Sequence, residues 1–164
     1  MKKSVIDIFD FQRKYLDLLV SDIDDGAMCA QPSGFRNHPA WQLGHMALAI
    51  DNFGKLAGGD SCIDDEWRKT FGMNTNPDPD RAKYPSKDEL LAKYDECRSN
   101  CRRALEEASE SHLNARPAHE QTAEVFGTNG NAIVFGMLSH ESMHLGQLAA
   151  WRRAKGMCEA LSRR

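Results

Sequence analysis

Residues 140–144 read His-Glu-Ser-Met-His inside a long apolar run of helical character. Two histidines four apart differ by about 40° around an α-helix and by ~6 Å along it, so they share one face. That spacing lets two imidazoles grip one divalent ion. Imidazoles are costly to bury without partners for their nitrogens, so a pair on a buried stripe asks for a metal or for dedicated hydrogen bonds. Glu141 turns the pair into His-Glu-x-x-His, the pattern in which a glutamate serves as general base beside a metal. It is rotated about 100° from His140 and can border an ion without binding it. Its bland alternative is a helix-surface glutamate paired with a lysine or arginine.

A catalytic site of the zinc type takes three protein ligands as a rule. No histidine follows His144, so the third is sought upstream among His38, His45, His112 and His119. His45 lies in a second apolar segment, on a stripe with Trp41, Leu48 and Asn52. It is the best third ligand once a two-histidine helix is available. His38 precedes Pro39 and reads as a cap or a rim residue. His112 and His119 lie in polar sequence and read as solvated. Asn52 and Gln147 flank the stripe and are placed to hydrogen-bond a ligand. The five cysteines, an odd number in a chain too long to need staples, read as reduced. Cys97 and Cys101 also stand four apart and read as small apolar residues on a helix.

The elements that must carry these residues follow from apolar periodicity. A first helix spans 4–24, with Ser4 as its cap and Asp24-Asp25-Gly26 at its end. Residues 25–38 read as a loop. A second helix spans 39–57, with Pro39 in its first turn, and is apolar around most of its circumference. Residues 58–86 hold three of the six prolines and form a long crossover with a short helical piece near Asp64–Thr70. A third helix starts after Ser86, with Glu89 completing a capping box, and runs to about 111. Residues 112–130 form a second loop. A hairpin around Thr128-Asn129-Gly130-Asn131 competes with a helix capped by Asn131 and running to about 156; the period of Ile133, Met137, His140, His144, Leu148 and Trp151 favours the helix. The expected fold is all-α: an antiparallel four-helix bundle with long crossover connections, one domain over 1–164.

The net charge of −3 and the pI near 6.1 offer no basic surplus for nucleic acid or an acidic membrane. The apolar segments are too short and too interrupted to span a bilayer, and no signal-peptide core is present. A cytoplasmic location is the default expectation.

His38-Pro39-Ala40-Trp41-Gln42-Leu43-Gly44-His45 and His140-Glu141-Ser142-Met143-His144-Leu145-Gly146-Gln147-Leu148 together resemble the second- and fourth-helix motifs of the DinB/YfiT-like superfamily. Their separation and the chain length also fit. The resemblance implies a four-helix bundle whose divalent metal is held by His45, His140 and His144, with open positions. It also implies a small-molecule enzyme, a thiol-dependent transferase or a hydrolase, in a family whose members include users of a low-molecular-weight thiol as cosubstrate and homodimers. Three imidazoles suit zinc or nickel first, then iron, cobalt or copper. Glu141 is the candidate catalytic residue. Two other functions compete: a non-catalytic metal-binding or stress-response module, and a zincin-type peptidase, which lacks a downstream ligand.

Overall fold

A computed structural model describes residues 2–162. The described residues contain helices and no strand, so the hairpin alternative near residue 129 drops out. Four long helical stretches dominate: α1 (Lys2–Val20), α2 (Pro39–Leu56), α4 (Lys87–Glu107), and a continuous run over residues 129–154. That run consists of α7 (Asn129–Val134), a π-helical turn (Phe135–His140) and α8 (Glu141–Ala154). Short helices α3 (Asp65–Phe71), α5 (Glu110–Asn114) and α6 (Glu120–Phe126) punctuate the connections.

The apolar stripes meet in one buried cluster. Phe9, Leu16 and Leu19 of α1 face Leu43, Met46 and Ile50 of α2, Leu90, Tyr94, Cys97 and Cys101 of α4, and Met137, Leu148 and Trp151 of the last run. The most extensive helix pairing joins α2 to α4, and α1 lies along α8. No helix among the described residues is long and apolar enough to cross a membrane.

Several boundaries differ from expectation. The first helix begins at Lys2, so Ser4 is an exposed residue inside it. It ends at Val20 because Asp22 is drawn across to Arg152 on α8. The expected loop over 25–38 holds two 3-10 turns. The third helix stops at Glu107, where Ser109 opens α5 by accepting the His112 N–H at 3.1 Å. The expected loop over 112–130 contains α6, closed by Gly127 at φ 73. The last run is capped by Thr128, not Asn131: the Thr128 hydroxyl accepts the Asn131 N–H at 3.2 Å. The Ser86–Glu89 capping box is present.

The crossover over 58–86 is stitched to α2. Ser61 donates to Asp51 at 2.7 Å, the Cys62 N–H donates to the same carboxylate at 2.8 Å, and Arg68 pairs with it at 3.2 Å. Trp67 donates to the Gly44 carbonyl at 3.0 Å. The Phe71 ring lies where a side chain at position 44 would project, so glycine there admits the end of α3 against α2.

Candidate metal centre

His45 is carried by the buried middle of α2 and is 7% exposed. The Trp41 ring stacks on its imidazole, with centroids 4.6 Å apart and planes 11° from parallel. Trp41 is in turn held by its Nε1–H bond to Thr75 at 2.8 Å. His45 Nδ1 lies 2.8 Å from the Phe71 carbonyl. A carbonyl only accepts, so Nδ1 carries the proton and Nε2 keeps its lone pair for another partner. The crossover thus sets the tautomer of a residue on α2.

His140 closes the π-turn and His144 follows one turn later in α8. Glycine at 136 lets the Phe53 ring occupy the place a side chain would take. Gln12 of α1 donates to the Leu138 carbonyl and to the Ser142 hydroxyl, both at 2.9 Å, and pins the chain on either side of His140. π-turns recur at functional sites, where they re-aim side chains.

The three imidazoles converge. Ring centroids lie 5.4 Å apart for His45–His140, 5.0 Å for His45–His144 and 4.7 Å for His140–His144. One nitrogen from each lies within 4.8 Å of the others. Nitrogens that share an ion at ~2.1 Å are at most ~4.2 Å apart, so small ring rotations suffice to close the set. His144 Nδ1 is buried without a protein partner. Burial holds all three below the ordinary histidine range: His45 is lowered, His140 falls to about 4 with His45 adding to the effect, and His144 to about 3 beside the other two. Neutral imidazoles at neutral pH are what a metal ion requires. The residues present therefore fit a divalent ion.

Glu141 lies outside this cluster. It is 1% exposed and its Oε1 accepts from Tyr94 and from Arg98, which also reaches the Phe9 carbonyl. Burial pushes its carboxyl up to about 7, against the pull of Arg98 and Tyr94. The predicted lysine or arginine partner exists, but the pair is buried between α4 and α8 and not on the surface. Arg98 was legible only as a cation four residues after Tyr94 on the apolar stripe of α4.

The other predicted residues fall as follows. His38 caps α2, accepting the Trp41 N–H at Nδ1 and donating from Nε2 to the Asp78 carbonyl at 2.9 Å. His112 is not simply solvated: its Nε2 bonds the Leu56 carbonyl at 2.8 Å and ties α5 to the end of α2. His119 is exposed. Asn52 accepts from Arg68 at 3.2 Å, and Gln147 from Asn37 at 3.4 Å. Phe53 and Phe135 flank His140 with centroids 6.5 and 6.4 Å away, and Phe126 packs on Phe135. Phe53 and Phe126 also line an open hollow of about 300 Å³ with Leu56, Pro117 and Thr122.

Residues 8–148 match the DinB superfamily, a span that takes in both histidine motifs. The chain belongs to the DinB superfamily. Comparison with curated proteins and with solved structures found no match. The superfamily is metal-associated, and the triad of His45, His140 and His144 is geometrically able to hold a metal ion.

Proposed function

We propose that this DinB-superfamily protein holds a divalent ion, zinc or nickel first, on His45, His140 and His144, and is an enzyme acting on a small molecule, as a thiol-dependent transferase or a hydrolase. The observation that carries the reading is the convergence of three imidazoles from two helices, two buried and one half-buried, one with its tautomer set by the Phe71 carbonyl. A bound ion would supply Lewis acidity to a small molecule sharing it. The chain's own contribution is to orient the ligands: Trp41 stacks on His45, and Gln12 fixes the π-turn beneath His140. The aromatic wall of Phe53, Phe126 and Phe135 shields one side and offers an apolar moiety a seat in the hollow beside it.

The reading includes an antiparallel arrangement of the four long helices, with α2 and the 129–154 run presenting their histidines to each other. It assigns Glu141 to anchoring α8 on α4 through Arg98, because its Oε1 accepts from Tyr94 and Arg98 and the carboxylate is buried between those helices, outside the histidine cluster. This weakens the zincin-type alternative, which needs that carboxylate at the metal. Elemental analysis of protein purified without added metal tests the reading, followed by a screen of thiols against electrophilic substrates. Metal-free protein that takes up neither zinc nor nickel, with His45 intact, would sink it.

A further inference from the structure

A second cluster lies outside the triad, where the crossover meets α4. Cys62, on the segment leading into α3, has its Sγ 2.8 Å from Sγ of Cys97, a buried residue of α4. This is closer than non-bonded sulfur atoms usually approach, and about 0.8 Å longer than a disulfide bond. The segment is held there by contacts that do not involve sulfur: the Cys62 N–H donates to Asp51 at 2.8 Å, and Lys93 donates to the Cys62 carbonyl at 3.1 Å. Cys62 is partly exposed and Cys97 is fully buried. One sulfur can therefore meet a solvent-borne reagent while the other waits behind it.

We propose that Cys62 and Cys97 are a site of reversible oxidation whose disulfide staples the start of the crossover to α4. The oxidant is a hydroperoxide. The Cys62 thiolate attacks the distal peroxide oxygen, the O–O bond breaks, and a sulfenic acid forms with release of water or an alcohol. Cys97 sulfur then attacks the sulfenic sulfur, the S–S bond forms, its thiol proton departs and the second water leaves. Two thiols lose one electron each and the peroxide gains two. A dithiol reductant reverses the change by exchange.

The same three groups, Asp51, Cys62 and Cys97, are close enough to be a metal site. Their surroundings favour the redox role. Arg68 already neutralises Asp51 at 3.2 Å and also donates to Ser61 at 2.8 Å, and Ser61, the Cys62 N–H and the Cys62 thiol donate to the same carboxylate. Burial raises both thiols above the ordinary cysteine range, so their reaction with the peroxide is slow.

The bond is independent of the histidine triad and is tested without it. The full-length protein is treated with hydrogen peroxide, free thiols are alkylated under denaturing conditions, and the tryptic digest is read by mass spectrometry. Trypsin separates Leu56–Arg68, which holds Cys62, from Tyr94–Arg98, which holds Cys97, and from Ser99–Arg102, which holds Cys101. The expected product is a cross-link between the first two, reversed by dithiothreitol and absent in C62S. Oxidised wild type should melt about 5–15 °C above reduced protein, from closing the intervening loop. Overturning results are alkylation or over-oxidation of both cysteines without a cross-link, pairing of either with another cysteine, or a zinc ion that protects both and is lost in C62S. The wild-type digest decides the matter even where C62S folds poorly.

Discussion

A histidine that gives one nitrogen to a carbonyl has a single lone pair left to offer, and in His45 the Phe71 carbonyl makes that choice. Removing any one imidazole of the triad should cut metal content to background: His45→Ala, His140→Ala and His144→Ala, read by elemental analysis after dialysis. His119→Ala should leave it unchanged. His112→Ala should leave metal in place while costing about 1 kcal/mol through the lost bond to Leu56. Glu141→Gln separates two roles. A general base would lose activity by ~10²-fold or more with stability intact. The buried ion pair with Arg98 predicts instead a loss of about 3–5 kcal/mol, because the substitution strands a buried guanidinium; thermal unfolding measures it. The histidines were readable because spacing on a helix is a property of sequence. The Phe71 carbonyl was not, since a backbone acceptor leaves no trace in residue type, and neither was the bond from Gln12 to the Leu138 carbonyl, 126 positions away.

Among the elements, the two interior ends of the site rest on glycine. The Phe71 ring fills the space over Gly44, and the Phe53 ring that over Gly136. Gly44→Ala should push α3 off α2, costing about 1–3 kcal/mol in thermal unfolding. It should also weaken metal affinity, because the carbonyl that orients His45 sits at the displaced end of α3. If titration shows metal affinity unaltered while stability falls, α3 has no part in orienting that ring. The long helices were legible from periodicity, and the Ser86–Glu89 box from three residues of spacing. The short helices α5 and α6 were not, since five and seven residues complete too few turns to show a period. The π-turn was hidden because Met137, His140 and His144 satisfy a plain α-helical count almost as well.

For the molecule as a whole, acid is the condition that reaches every histidine of the triad at once. His140 at about 4 and His144 at about 3 stand below the value near 6.5 that an unfolded chain gives. Between those limits the unfolded state binds more protons at these sites, so the histidines' contribution to the stability of metal-free protein should fall as pH drops from about 6.5 toward 3, while Glu141, raised to about 7, acts in the opposite sense. The loss should be smaller in His144→Gln, which removes one of these titrations; melting temperature against pH for the two proteins provides the check. The same low values mean that protons compete with a metal ion for these nitrogens only below the usual histidine range, so metal should be retained to lower pH than ordinary histidines would allow. That shift was invisible in the sequence, which offers an unperturbed histidine until its burial is known. The choice of Cys97 and Cys101 as plain core residues held for Cys101, but Cys97 has a sulfur partner 35 positions away that no local pattern could supply.

The turn at Phe135–His140 has one further consequence, for chain length. A π-turn accommodates one residue more than an α-turn does, so it is where the final helix can be shortened without rotating either flank against the core. Ser139 is exposed, and deleting it removes no buried side chain. A protein lacking Ser139 should keep its helical circular dichroism and cooperative unfolding, whereas deleting Leu145, in the regular part of the same helix, should misphase Leu148 and Trp151 and abolish both.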